Sequence, residues 1–170
     1  MLMHSRGQAG FSLIELVIAL AVLAILIGFA IPGARTWLQN SSVRSTTESI
    51  QNGLQLARSE AVRRNVFATY AQSGTAWTVT AGGTTVQTAS SEAAGTASVT
   101  ASQNSVTFSG VGWVTPVPAS TITFDVSNPT GGTCVAASGP IRCLRVTVTA
   151  GGQIRMCDPA ATSGTAAACS

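Results

Sequence analysis

The sequence predicts an α+β protein: a long N-terminal α-helix packed on a small antiparallel β-sheet or β-sandwich head. Three observations predict it. An almost unbroken apolar run extends from Phe11 to Ile31. A stripe of small and apolar residues at helical spacing then continues to Ala61. Beyond Asn65 the chain turns to short alternating runs cut by Gly, Ser, Asn and Pro. At 170 residues there is enough chain for one domain with a modest core.

Residues 1–10, MLMHSRGQAG, are short and polar, with Arg6 as their only fixed side-chain charge. Residues 11–32 form a hydrophobic helix, which at about 1.5 Å per residue is long enough to span a bilayer core. The run is too long for the apolar part of an ordinary signal peptide, and no small-x-small cleavage site follows it. Glu15 is its one exception. A carboxylate inside a span costs about 2.5–3.5 kcal/mol on insertion scales, so it needs a purpose. If the chain is cut after Gly10, Glu15 lies one helical turn from the new terminus, where it can pair with the α-amino group of a neighbouring subunit.

Residues 33–65 continue as an amphipathic helix into the head. Val43, Thr47, Ile50, Leu54, Ala57 and Ala61 recur alternately four and three apart, one stripe on one face. Arg44 with Glu48, and Glu60 with Arg64, are spaced as surface pairs worth a few tenths of a kcal/mol each. Gly53 either lets helix and sheet approach closely or is simply tolerated. The helix is expected from about Ser12 to Arg64, disturbed at Pro32.

Residues 66–170 form the head. Strands are predicted over 66–71, 77–81, 105–109, 122–126, 143–149 and 153–157, the last two joined by TAGG, a strong hairpin signal. The Ala/Ser/Thr-rich stretch 84–102 reads as a loop or a weak edge strand. Neither an internal repeat nor a second domain is visible.

Hydrophobic residues make up 45% of the chain and charged ones 9%, against roughly 25% charged in soluble proteins. Thr, Ser, Ala and Gly fill the deficit, which suits an exported β-rich head. All nine basic residues are arginines, and a formal charge of +3 implies no nucleic-acid partner unless the charge is clustered. Cys134, Cys143, Cys157 and Cys169 lie together at the C-terminal end and read as two disulfides. No CxxC pair exists and the one histidine is His4, so neither a metal nor a cofactor is expected. A hairpin centred on residues 150–152 favours Cys143–Cys157, leaving Cys134–Cys169. Two local loops, Cys134–Cys143 and Cys157–Cys169, remain the alternative. No catalytic constellation is present, and Glu15, Glu48, Glu60, Glu92, Asp125 and Asp158 show no close pairing for acid–base work, so no enzyme is expected.

The string GFSLIELVIALAVLAILIGFAIP, residues 10–32, closely resembles the class III signal of type IV pilins and type II secretion pseudopilins. The resemblance covers residues 7–32. It implies that a prepilin peptidase cuts after Gly10, releasing residues 1–10 as a leader, and methylates Phe11. It also makes Glu15 the assembly carboxylate and Pro32 the site of a helix bend. Two further segments, LQLARSEAVRRNVFATY (54–70) and CLRVTVTAGGQIRMCDP (143–159), resemble FimT/FimU minor pilins and GspH-type minor pseudopilins. Trp77 and the GVGWV run around Trp113 fit the same family, which implies a head of two small antiparallel sheets laid on the helix.

The function so implied is that of a minor pilin of a type IV pilus, a structural and priming subunit assembled through its N-terminal helix. The first alternative is a GspH-like minor pseudopilin of a type II secretion system, and the second a DNA-binding pilus-tip adaptor for natural transformation. The implied partners are other pilin or pseudopilin subunits, the prepilin peptidase and the bacterial inner membrane, with the head in the periplasm before filament assembly. Some FimT-like relatives bind DNA through a GRxR motif. Here the matching positions are Gly152, Gln153, Ile154 and Arg155, so its first arginine is missing. Arg142 and Arg145, expected on the partner strand, join Arg155 as candidate DNA contacts. Three arginines neutralise about three phosphates, which gives weak, salt-sensitive binding. The competing reading makes them solvated strand faces beside a disulfide. Arg58, Arg63 and Arg64 cluster at the helix end and read as partners of the C-terminal helix dipole, with interface residues as the alternative, rather than as a ligand site.

Overall fold

The structure, a computed structural model, describes residues 12–89 and 95–169, without the side chains of residues 29–32. The described residues form one α-helix, eight strands and two short 3-10 helices, Pro129–Gly131 and Val135–Ala137. Helix α1 runs Leu13–Arg64. The strands are β1 Ala68–Ser73, β2 Ala76–Ala81, β3 Thr84–Ala89, β4 Ser98–Ala101, β5 Ser105–Phe108, β6 Ile122–Ser127, β7 Leu144–Val148 and β8 Ile154–Cys157. They make two antiparallel four-stranded sheets, ordered β3-β2-β1-β5 and β4-β6-β7-β8. Two compact units result, one ending at Arg35 and one beginning at Thr36.

In the first unit α1 is apolar on every side. Leu13, Ile14, Leu16, Val17, Ile18, Leu20, Leu23 and Leu26 are all exposed, so no face of this stretch is buried within the unit. Segment Leu13–Gly28 alone reaches about 24 Å, short of a roughly 30 Å hydrocarbon core. No single helix among the described residues is long and apolar enough to cross a membrane, although Leu13–Gly28 and Gly33–Arg64 taken together are. The expected bend at Pro32 falls on residues whose side chains lie outside the described ones.

In the second unit the helical stripe is the core. Val43, Thr47, Ile50, Leu54, Ala57 and Ala61 are completely buried. The strands supply the opposite wall at period two: Ala68 and Tyr70 from β1, Trp77 and Val79 from β2, Val106 and Phe108 from β5, Phe124 from β6, Val146 and Val148 from β7. Tyr70 of the first sheet stacks edge-on to Phe124 of the second, ring centroids 5.7 Å apart, so both sheets close one core. Gly53 is there for closeness. A Cβ on it would lie 2.8 Å from the Tyr70 ring and 2.9 Å from the Trp77 indole. Trp77 Nε1 donates to Ser49 Oγ at 2.9 Å, fixing the indole against the helix.

Strands β3 and β4 both lie within the stretch 84–102, and both are sheet edges. Strand β3 is mostly exposed on both faces, which is why no alternation marks it.

Candidate functional site

Ser12 caps the start of α1: its Oγ accepts the Glu15 backbone N–H at 3.2 Å, and its carbonyl accepts Leu16 N. Ser12 and Glu15 form an S-x-x-E pattern, a helix-start signal present in the sequence. Glu15 thus sits in the first turn, where the helix dipole favours negative charge. Its side chain is exposed, and among the described residues it has no ion-pair partner. Gly10 and Phe11, the expected cleavage and methylation positions, lie outside the described residues.

The arginines at the C-terminal hairpin are each held by a partner. Arg145 on β7 faces Asp125 on β6 as its direct cross-strand neighbour, and its Nε donates to Asp125 Oδ1 at 2.7 Å. Arg155 on β8 donates from Nη2 to the Ala166 carbonyl at 2.6 Å. Arg142 is not on the partner strand as the sequence suggested: it precedes β7, where its backbone N–H donates to Asn40 Oδ1 of α1. Its Nε donates to Asp158 Oδ2 at 2.7 Å, and Asp158, itself buried, also accepts the Ala160 N–H. Arg142 and Arg155 thereby pin the loop that follows β8, and two of the three charges are neutralised by carboxylates.

All four cysteines form disulfides, but the favoured pairing Cys143–Cys157 with Cys134–Cys169 is wrong. The bonds are Cys134–Cys143 and Cys157–Cys169, with Cα separations of 5.4 and 5.1 Å. The hairpin register explains it. Arg145 stands opposite Cys157, so the place opposite Cys143 falls beyond the end of β8. Two parallel bridges, Cys134 with Ile141 and Asp158 with Ala168, instead bring each cysteine to its near neighbour in sequence.

A second cluster lies at the last turns of α1. Glu60 is only 9% exposed and is gripped by two arginines: Arg63 Nη2 donates to Oε2 at 2.7 Å and Arg64 Nε to the same oxygen at 2.6 Å. The hydrogen bonds from Arg63, then the one from Arg64, hold its carboxyl below the usual glutamate range against the opposing pull of burial. The expected pair Glu60–Arg64 is therefore one arm of a fork in which the carboxylate is mostly buried and the two arginines stay exposed. Arg58 does not join it; its Nε donates to the Gly112 carbonyl at 3.2 Å. The β7–β8 turn completes this corner. Gly152 has φ +76°, and a Cβ there would lie 2.0 Å from the Gly112 carbonyl oxygen, so only glycine fits. None of these approaches between distant segments has a signature in the sequence.

A family model described as Type II transport protein GspH matches residues 46–152. Another, described as the prokaryotic N-terminal methylation motif, matches residues 5–31. Among solved structures, the Pseudomonas aeruginosa type IV minor pilin FimU in space group P21 is similar with a TM-score of 0.56 and 19% identity. The match covers 71% of this chain and 91% of that one. The same minor pilin in space group P65 gives 0.52 and 18%, over 66% and 90%. At such identity the likeness is one of fold. Among curated protein sequences none matches this chain.

Proposed function

The chain belongs to the family of the type II transport protein GspH, and on that premise we propose that it is a minor pilin of a type IV pilus, a structural and priming subunit near the filament tip. The observation that carries the reading is the start of α1. Its side chains are apolar and exposed all round apart from one unpaired carboxylate in the first turn, and it lies within the methylation motif. Such a surface is stable only in lipid or against other helices like itself. In this reading the leader is removed at Gly10 and Phe11 is methylated. The anchored protein waits in the inner membrane with its head in the periplasm. On extraction into the filament, apolar packing drives association and Glu15 meets the charged N-terminus of a neighbour.

A minor pseudopilin of a type II secretion system is the second reading, favoured by the description of the matching family. DNA binding draws no support from Arg142, Arg145 and Arg155, each engaged within the head.

A clean deletion separates the readings: loss of piliation and twitching supports the pilus, loss of exoenzyme secretion the secretion system. Mass spectrometry of the native protein should find N-methyl-Phe11 at its terminus, and an intact leader on filament-associated protein would sink both. Glu15→Ala should insert into membranes at least as well as wild type, because a buried carboxylate is costly, yet enter filaments poorly.

A further inference from the structure

We propose that a groove between residues 37–44 of α1 and the β7–β8 hairpin seats the head on the phospholipid surface of the bilayer that holds its own anchor. The inference rests on the reading of the chain as membrane-anchored before assembly and adds where the head lies at that stage.

The groove belongs wholly to the second unit and has a volume of about 510 Å³. Trp37, Ser41 and Arg44, spaced four and three apart on α1, form one wall. Leu144 of β7, Met156 of β8 and Ala167 of the tail form the other. The walls are tied together where the Arg142 N–H donates to Asn40 Oδ1 at 2.9 Å, so the groove is already formed in the free head.

Two observations name the occupant. The first is reach. Trp37 follows Ile31 by six residues, so at no more than about 3.6 Å per residue it stays within about 22 Å of the end of the apolar run. Once that run is in a bilayer, the lipid surface is what the covalent chain keeps close to the groove. Trp37 is 69% exposed, and tryptophan is the side chain enriched at the membrane–water interface. A second exposed tryptophan, Trp113, has no such tether. It follows Gly112, whose Cβ would touch Val62, 25 residues or about 38 Å further along α1.

The second observation is charge balance. Arg44 is paired with Glu48 and Arg142 with Asp158, so the groove carries no unbalanced charge to recruit nucleic acid or an acidic protein. Asp158 is hidden, its side chain 7% accessible, while that of Arg142 is 67% accessible. The pair therefore turns its guanidinium outward beside the apolar Leu144 and Met156. Apolar walls with a balanced polar rim match the bilayer interface, where Trp and Arg bury their apolar bodies and keep their polar tips among the headgroups. Attraction then comes from apolar area and not from contacts that salt screens.

The test uses the full chain in vesicles of phosphatidylethanolamine and phosphatidylglycerol. A photo-crosslinking residue is placed at Ala167, an exposed position on the wall remote in sequence from the anchor, and at Val111 beside Trp113 as the control. Mass spectrometry should find phospholipid adducts at Ala167 and about tenfold fewer at Val111. Trp37→Ala should lower the yield at Ala167 about tenfold, the order expected for losing the burial of one large apolar side chain. Trp37→Phe, which keeps an aromatic body, should retain most of it, and Trp113→Ala all of it. Raising salt to about 0.5 M should leave the yield unchanged. Near-ultraviolet dichroism of the buried Tyr70 and Trp77 shows that each variant is folded. Capture of a second copy in place of lipid at Ala167 overturns the proposal. So do equal lipid capture at Val111, indifference to Trp37→Ala, and loss of capture at high salt. A chain that floats with the vesicles but gives no lipid adduct at Ala167 overturns the seat alone. A chain that does not float with them overturns the anchored reading and this inference with it.

Discussion

Within α1, residues 13–28 and residues 43–61 both carry leucine, isoleucine, valine and alanine, but the second interleaves them with Ser, Thr, Gln, Asn, Arg and Glu. The first stretch leaves nearly all of them exposed, while the second buries Val43, Ile50, Leu54, Ala57 and Ala61 completely. Composition and spacing separate the two together: polar residues fill the gaps between the apolar ones in the second stretch, and almost none do in the first. Where apolar residues recur three and four apart, one face meets the sheets and Arg44, Glu48 and Arg58 take the other. Where they fill every position, no single face can be satisfied inside the chain, and the covering material has to come from lipid or from neighbouring helices. One stretch of the helix is thus finished by the fold and the other only by assembly.

The largest effect that tests this contrast is truncation of a buried leucine. Leu54→Ala should destabilise the head by about 2–5 kcal/mol, through lost transfer energy and the cavity left behind. Leu23→Ala, made in the exposed stretch, should leave head unfolding unchanged. Thermal unfolding of the full chain in detergent, followed through the near-ultraviolet dichroism of buried Tyr70 and Trp77, measures both. Equal destabilisation would show that the exposed stretch is part of the head's folding unit.

Glycine substitution gives a smaller effect of the same kind. Gly53→Ala forces a methyl group against Tyr70 and Trp77 and should cost about 1–3 kcal/mol by overpacking. At Gly28 a Cβ meets nothing within 4 Å, so Gly28→Ala should be neutral or slightly stabilising. If Gly53→Ala proved neutral, the helix and sheet would have room to separate, and the glycine would be merely tolerated.

These contrasts also mark what the sequence made legible. The stripe from Val43 to Ala61 was readable because each position is a local choice repeated at one period. Strands β1, β2, β5, β6, β7 and β8 were readable for the same reason, to within a residue or two at their ends. Strands β3 and β4 were obscured because an exposed edge of Thr, Ser and Val buries no regular face. The Ser12–Glu15 cap is a local S-x-x-E pattern and is written in the sequence. The disulfide pairing was not written there. It depends on a register that sets Arg145 against Cys157, and on a tail that returns to place Ala168 beside Asp158. Likewise the spacing of Glu60 and Arg64 gives a pair but not the burial of Glu60, which the packing of the whole head decides.

That burial supplies the smallest test, one confined to the end of the helix that the head encloses. Glu60 has its folded carboxyl held below the ordinary value of 4.5, first by the Arg63 hydrogen bond and then by Arg64. As pH falls, the unfolded chain therefore takes up this proton before the folded one does. Stability from Glu60 is fully present above the ordinary value and is lost as pH drops through the lower folded value. Glu60→Gln should remove that contribution near neutrality and flatten the acid limb of a stability–pH curve below about pH 5. Glu48→Gln is the matched control on the same helix. Its pair with Arg44 is exposed, side chains 45% and 72% accessible, and should be worth no more than about 0.5 kcal/mol at pH 7. Urea unfolding of both variants between pH 3 and pH 7 decides it. An acid limb unchanged by Glu60→Gln would mean that the two arginines grip Glu60 no more tightly than water does.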